Sequence, residues 1–203
     1  MRKALLSLAA VVLFAPFARA ESFVLDAAHT RIGFGVKHMV VSNVQGEFQK
    51  FSGSFELDAK NNLASAEATA DIASINTRDV KRDTHLKSPD FFDAAKFPEM
   101  KFVSKKVMAG DGGRYTVIGD LTIKSTTKSI ILTGEMFGPI KGMMGETRVG
   151  FHAEGKINRK DFGVNFHKAL DSGGLVVDDN VNITLDIEGT PKGWVPPAPP
   201  AAK

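Results

Sequence analysis

Histidines are the side chains of this chain best suited to bind a metal or transfer a proton near neutral pH, and they are scattered. They lie at His29, His38, His85, His152 and His167, and no two have the spacing of a helical or hairpin metal-binding pair. The chain has no cysteine to complete such a set. His38 lies in the apolar phase of an alternating segment, where a barrel could bring it near another histidine, but a histidine at a strand end with one backbone hydrogen bond explains it more simply. We therefore expect no metal site and no cofactor.

The usual arrangements of catalytic residues are also missing from the sequence. It contains no Gly-x-Ser-x-Gly nucleophile motif and no glycine-rich loop that opens a helix to hold phosphate. Carboxylates are numerous, but most lie in turns or in the polar phase of alternating segments, where no pair of them is set apart as acid and base. We therefore expect that the protein is not an enzyme.

Apolar side chains are the most distinctive chemistry of the chain. It has 15 Phe, of which Phe14 and Phe17 precede residue 21, against one Tyr and one Trp, and a buried Phe needs no hydrogen-bond partner. Alanines at positions 64, 66, 68 and 70 share one phase of an alternating segment and would leave space on the inner face of a sheet. These features suit a cavity for an apolar ligand, although from composition alone a packed, Phe-rich core is the simpler interpretation.

A loop at residues 138–145 combines flexible glycines with adaptable apolar side chains. It is typical of the mouth of a cavity, and equally of a hairpin loop whose methionines pack on their own barrel. We take Ile140, Met143 and Met144 as candidate mouth or lid residues.

The elements that must position these side chains are predicted to be strands. From residue 21 onward apolar and polar residues alternate with a period of two, as in segments 32–36, 117–123, 149–157 and 181–187. Short turn segments at 60–62, 110–113, 125–127 and 171–174 separate the runs, which favours antiparallel hairpins over crossover helices. The sequence therefore predicts an all-β fold, either a sandwich or a barrel.

Alternation fails between residues 76 and 93. Asn76 followed by Asp79 resembles a capping box, and Ser88-Pro89 resembles a second helix start. We expect a short helix near 79–87 and another turn at 89–93. They would cover an end or an edge of the sheet, with Leu86, Phe91 and Phe92 as the buried contacts.

The two termini differ from the strands between them. Arg2 and Lys3, an apolar run over 4–17 and a small-residue site at 18–20 are typical of a secretory signal peptide, so we expect residues 1–20 to be removed. Removal lowers the number of Lys and Arg residues from 26 to 23 and leaves the 23 Asp and Glu residues unchanged. The remaining chain is nearly neutral and has no basic patch, so we do not expect it to bind nucleic acid. Residues 193–203 are rich in proline and predict a flexible tail.

A series of short, ordered motifs resembles the YceI-like family, lipocalin-like proteins of the bacterial periplasm that bind polyisoprenoids. The chain departs from the family pattern at 124–128, where Lys-Ser-Thr-Thr-Lys stands in place of a Gly before Val-Thr-Lys. The motifs that carry the resemblance are Phe23 to Asp26, His29-Thr30, Ile32-x-Phe34-x-Val36-x-His38, Val44-x-Gly46-x-Phe48, Phe51-x-Gly53, Asp71-Ile72, Ser74-Ile75-Asn76-Thr77, Arg82-Asp83-x-His85-Leu86, Asp90-Phe91-Phe92-Asp93, Phe97-Pro98-x-Met100-x-Phe102, Gly119-Asp120-Leu121-Thr122-Ile123 and Arg159-x-Asp161-Phe162-Gly163.

The resemblance implies an extended, antiparallel, eight-stranded lipocalin-like barrel over residues 21–192, with one or two short helices. It implies a periplasmic binding or carrier protein that holds a long polyisoprenoid, such as a quinone-like tail, in the barrel interior. The candidate ligand-binding residues are Ile32, Phe34, Val36, Phe48, Phe55, Ala66, Ala68, Ile72, Phe102, Leu121, Phe151, Ile157, Phe162 and Leu185.

An alternative from a different class is an enzyme or accessory factor that acts on an isoprenoid quinone head group together with a membrane partner. The sequence leaves open whether an inner-membrane protein is a partner and whether the chain forms a homodimer.

Overall fold

The structure, a computed structural model, describes residues 20–169 and 175–197. The predicted signal peptide up to residue 19, the predicted turn at 171–174 and the tail beyond residue 197 lie outside these ranges. In order along the chain, the elements are β1 Glu21–Leu25, β2 Arg31–His38, β3 Ser42–Phe48, β4 Phe51–Leu57, β5 Leu63–Asp71, β6 Ile75–Asn76, α1 Val80–Lys87, β7 Glu99–Ala109, β8 Arg114–Ile123, β9 Thr126–Lys141, β10 Thr147–Asn158 and β11 Val177–Pro191, with short 3-10 turns at Ile72–Ser74, Asp111–Gly113 and Arg159–Phe162.

Eight of the strands close into a barrel. Their order is β1-β4-β5-β7-β8-β9-β10-β11, and β11 pairs back to β1. The long β11 serves two partners in succession, because residues 189–191 pair with β1 and residues 177–186 pair with β2. β2 then carries β3 and the two-residue β6 as a flap beside the ring. The predicted antiparallel eight-stranded barrel is confirmed, and the flap is an addition that the sequence did not predict.

The barrel has two ends with different coverings. We call the first the helix end, because it is covered by α1, segment 88–97, the β8–β9 turn and the 3-10 turn Arg159–Phe162. Lys124 in the β8–β9 turn ties these pieces together: its Nζ donates to the carbonyls of Phe91 at 3.1 Å and Gly163 at 3.2 Å. At the opposite end, here called the ring end, β1 completes the circle and the hairpins β4–β5, β7–β8 and β9–β10 make their turns.

Strand alternation holds where the sequence predicts it, and β8 shows it most regularly. Tyr115, Val117, Gly119, Leu121 and Ile123 are all buried, and the residues that alternate with them are not. Side chains on successive positions of a strand point to opposite faces, so this pattern places one row of β8 inside the barrel. The inward row therefore follows directly from the sequence.

The predicted helix near 79–87 is confirmed as Val80–Lys87, but its start differs from the expectation. Asp79 is the N-cap and its carboxylate accepts from the Arg82 N–H at 3.0 Å. Asn76 instead accepts from the Arg78 N–H at 2.9 Å, in a turn before the helix. Residues 89–92 form hydrogen-bonded turns, as predicted. None of the helices within the described ranges has the length and apolar character needed to cross a membrane.

The row of alanines on β5 is shorter than the sequence predicts. A bulge lies between Glu56 and Leu57 of β4, so that Glu56 pairs with Ser65 while Leu57 pairs with Leu63. Ala64 is left without a partner and is exposed. The inward row of β5 is therefore Ala66, Ala68 and Ala70, with Leu63 taking the place expected for Ala64.

Candidate functional site

An apolar space lies inside the barrel at the helix end, and we call it the helix-end cavity. Its volume is about 170 Å³, and its surface is formed by inward side chains of β2, β3, β5 and β7 to β11 under the cover of α1 and segment 88–97. Nine of the predicted ligand-binding residues line it: Ile32, Phe34, Val36, Phe48, Ala68, Phe102, Leu121, Ile157 and Leu185.

Small residues beside large ones keep this cavity open. A Cβ at Gly46 would overlap the ring of Phe34, so glycine lets that ring lie flat on β3. On β5, Ala68 pairs directly with Phe102 of β7 and offers one methyl group against its ring. Several lining side chains, Phe34 among them, are half-buried because one side of each borders the cavity. The walls therefore pack outward against their neighbours and leave an apolar channel between them.

A second apolar space, here called the ring-end cavity, lies towards the other end of the barrel. Its volume is about 100 Å³. The predicted residues Phe55, Ala66 and Phe151 line it. Three side chains, Phe102, Leu132 and Leu185, line both cavities and so stand between them.

Five of the predicted site residues line neither cavity. Ile72 and Phe162 are 1% and 2% exposed and pack within the core, where they support the walls from behind. Ile140, Met143 and Met144 lie on the β9–β10 hairpin at the ring end and are exposed, by 64%, 103% and 57%. The structure thus places the predicted mouth residues at the end opposite the larger cavity.

The cover at the helix end uses the three apolar residues that the sequence assigned to it. Leu86, Phe91 and Phe92 all line the helix-end cavity. The His85 ring stands edge-on to Phe91 at 5.0 Å, and its Nε2 is 2.9 Å from Asp90 Oδ2. His85 therefore forms part of an aromatic cover over this end of the barrel.

Arg159 is a cavity-lining residue that the sequence analysis did not single out as a site residue. Among the described residues lining the helix-end cavity it alone is charged, and it is 5% exposed. Its guanidinium donates to the carbonyls of Val164 at 2.7 Å, Asp178 at 3.0 Å and Val177 at 3.3 Å, and to Asp179 Oδ1 at 2.9 Å. Burial lowers the pKa of Arg159 and the neighbouring Asp179 opposes that shift. The only sequence signal was the Arg-x-Asp-Phe-Gly motif.

The ring end gathers charged side chains that look isolated in the sequence. Arg148 donates to Asp26 at 3.0 Å, to Glu146 at 2.6 Å and to Glu188. Asp26, His29 and Glu188 have ligand atoms within 4.8 Å of one another, so His29 is not as isolated as expected. Burial disfavours the charged form of Asp26, but hydrogen bonds from His29, the Ala28 N–H and Arg148 outweigh it and hold its pKa below the ordinary value. Arg148 compensates the negative charge of this group.

The geometry of the site suits the binding of an apolar ligand. Its apolar walls enclose space, and its one charged lining residue has four hydrogen bonds with neighbouring protein groups. An apolar ligand would gain free energy there by leaving water. The arrangement accounts for retention of such a ligand and needs no reacting side chain to do so.

Comparison with known proteins relates the whole barrel to one family. A family model for the YceI-like domain matches residues 23–189. The UPF0312 protein plu2095 of Photorhabdus laumondii is 41% identical over 167 residues, which are 80% of this chain and 86% of that protein.

Solved structures of similar proteins have the same architecture. The YceI protein of Campylobacter jejuni superposes with a TM-score of 0.67 at 36% identity, covering 82% of this chain and 95% of that one. BcnA of Burkholderia cenocepacia superposes with a TM-score of 0.70 at 26% identity, covering 81% of this chain and 98% of that one. A polyisoprenoid-binding domain from Saccharophagus degradans superposes with a TM-score of 0.61, covering 85% of this chain and 99% of that one. At 14% identity this similarity shows the fold alone. Since the family model and these relatives extend across the barrel, the chain belongs to the YceI-like family.

Proposed function

We propose that this protein binds the isoprenoid tail of an amphiphilic lipid inside its barrel and carries or stores that lipid without acting on it chemically. The observation that supports the proposal most directly is the helix-end cavity, an apolar space of about 170 Å³ inside a closed barrel. A packed core would fill such a space, because protein interiors have close to crystalline packing density. The polyisoprenoid-binding domain of Saccharophagus degradans suggests isoprenoids as the first ligands to test.

The size of the cavity is compatible with useful affinity. At roughly 10–15 Å³ of such space for each water-sized group, it holds on the order of a dozen carbon atoms. Each buried methylene contributes about 0.8 kcal/mol, so a tail of this size gains about 10 kcal/mol before the cost of ordering it is subtracted. Because this gain depends on apolar area, we expect weak discrimination between tails of similar shape.

We also propose that the protein works in the periplasm after removal of residues 1–20. The proposal rests on the charged start, the apolar run and the small-residue site of the N-terminus. A lipid carrier in that compartment would exchange its ligand with a membrane or with a membrane protein. Whether the partner is an inner-membrane protein or a second copy of the chain stays a prediction.

The proposal is tested by mass spectrometry of the lipid extracted from natively purified protein. We expect an isoprenoid lipid to co-purify with the wild type in near-stoichiometric amount. The Ala68→Phe variant should lose most of it, since the new ring occupies the cavity beside Phe102. Ala64→Phe is the matched control, because Ala64 lies on the same strand but is exposed, and it should retain the lipid.

Stability of the delipidated proteins separates a cavity from a filled core. If Ala68 borders open space, delipidated Ala68→Phe should unfold within about 1 kcal/mol of the wild type, whereas overpacking a filled core costs about 1–3 kcal/mol or more. Delipidation matters because bound lipid itself stabilises the folded state by mass action. A barrel that purifies empty and does not take up isoprenoids would defeat the proposal.

A further inference from the structure

We infer that Phe102 is a gate between the two cavities, so that short tails occupy the helix-end cavity alone and long tails displace the Phe102 ring to enter the ring-end cavity. The inference rests on the proposed function and adds to it a dependence on tail length. Its basis is that the interior is divided, and that Phe102 is the largest of the three side chains that border both parts, Leu132 and Leu185 being the others.

The position of the Phe102 ring depends on a glycine of the next strand. A Cβ at Gly119 of β8 would overlap the Cζ of Phe102, so the ring lies over the bare backbone of Gly119. Phe102 is itself only partly buried, because open space lies on both of its other sides. Leu132, in contrast, is 5% exposed and tightly packed. Of the three dividing side chains, Phe102 and Leu185 are partly buried, and Phe102 is the larger of these two.

The volumes turn this division into a limit on tail length. The helix-end cavity of about 170 Å³ holds on the order of a dozen carbon atoms, which is two to three isoprene units, at roughly 10–15 Å³ for each water-sized group. The ring-end cavity, at about 100 Å³, has room for little more than half as many carbon atoms. A tail much longer than a farnesyl group does not fit in the helix-end cavity, and it reaches the ring-end cavity only if the Phe102 ring moves.

The experiment compares farnesol, as a short isoprenoid alcohol, with solanesol, as a long one. Each is titrated into delipidated full-length mature protein, and native mass spectrometry measures the loaded fraction. Phe102→Ala removes the ring that a long tail must displace, so its Kd for solanesol should fall by about tenfold if the gate is open about a tenth of the time. Its Kd for farnesol should change little.

Two further variants make the test independent of any damage to the fold by Phe102→Ala. Ala66→Phe fills the ring-end cavity, which Ala66 lines, and it should weaken solanesol binding while leaving farnesol binding unchanged. Phe34→Ala is the matched control because Phe34 lines the helix-end cavity only, and it should change the two Kd values by the same factor.

The outcomes are distinct for the gate and for the proposed function. The gate is overturned if Phe102→Ala alters both alcohols equally, as Phe34→Ala should, or if Ala66→Phe leaves solanesol binding unchanged. A wild-type protein that binds neither alcohol overturns the proposed function, and the gate with it. Preferential gain of solanesol binding in Phe102→Ala, together with its selective loss in Ala66→Phe, supports both.

Discussion

The phenylalanines at the two ends of the barrel interior differ in how much open space lies beside them: Phe23 borders neither cavity, although its neighbours Phe55 and Phe151 line the smaller, ring-end cavity. At the ring end Phe23 is fully buried and stacks on Phe55, with ring centroids 5.1 Å apart, and Phe55 meets Phe151 edge-on at 4.9 Å. At the helix end the Phe34 and Phe48 rings are 5.7 Å apart and tilted, and both border the cavity. The difference shows that phenylalanine fills a core or lines a cavity according to what lies opposite the ring.

The two arginines that secure these ends also differ in their partners. Arg159 at the helix end has mainly backbone carbonyls as acceptors, with Asp179 as its one carboxylate. Arg148 at the ring end has three carboxylates. Carbonyls do not titrate, whereas carboxylates lose their charge in acid. Asp178 at the helix end also has a lowered pKa, held there first by the hydrogen bond from the Asn180 N–H. We therefore expect Arg148 to contribute more to the acid dependence of stability than Arg159.

The largest expected effect separates the two groups of phenylalanines. Phe23→Ala should cost about 3–5 kcal/mol of unfolding free energy, because it removes a fully buried ring from close-packed surroundings. Phe34→Ala should cost only about 1–2 kcal/mol in the delipidated protein, since one side of that ring already borders empty space. Urea unfolding of both delipidated variants measures the difference. Equal losses would mean that the helix-end cavity is packed as tightly as the ring end.

The next effect concerns the buried guanidinium of the helix end. Arg159→Met should cost about 3 kcal/mol, because it leaves the carbonyls of Val164, Val177 and Asp178 and the carboxylate of Asp179 without their donor. Arg159→Lys keeps the charge but cannot reproduce the fork of donors, so its loss should be intermediate. Thermal unfolding measures both variants. A loss as large for Lys as for Met would show that the geometry of the fork matters and the charge does not.

The smallest expected effect is the acid dependence of the ring end. The hydrogen bond from Arg148 holds the pKa of Glu146 below its ordinary value of 4.5. Hydrogen bonds from His29, the Ala28 N–H and Arg148 together hold the pKa of Asp26 below its ordinary value of 3.8. Groups with a lowered pKa in the folded state stabilise it above their ordinary pKa and lose that stabilisation as the pH falls through the folded-state pKa. The Tm of the wild type should therefore decline below about pH 5.

Removing Arg148 should flatten this acid decline. Arg148→Met is expected to have a lower Tm than the wild type at neutral pH and a smaller further drop on acidification, because its carboxylates no longer gain from being charged. Arg159→Met serves as the control and should keep the wild-type slope. If Arg148→Met and the wild type lost Tm in parallel between neutral pH and about pH 3, the acid dependence would have to come from other carboxylates.

Much of the fold and of the site follows from local sequence patterns. The inward rows of β2 and β8 were read from alternation alone, because the two faces of a strand repeat every second residue whatever the strand pairs with. The cover formed by Leu86, Phe91 and Phe92 was predicted for the same kind of reason, since alternation stops there and helix-capping residues begin. The YceI-like resemblance read from the ordered motifs is confirmed by the family match.

Other features depend on pairings and volumes that no local pattern contains. The bulge that turns Ala64 outward arises from the pairing of β4 with β5, and the double role of β11 arises from closure of the ring. Both are set between strands far apart in sequence.

The sequence therefore determined most of the residues that point inward, and the tertiary structure decided the exceptions, such as Ala64, and which inward residues face open space. Phe48 lines the cavity while Ile72, packed against it, is core. Phe102 divides the interior because Gly119, which lies 17 residues after it in the sequence, leaves room for its ring. The physical reason is that open space is a balance of side-chain volumes across the whole barrel, which exists only once the ring has closed.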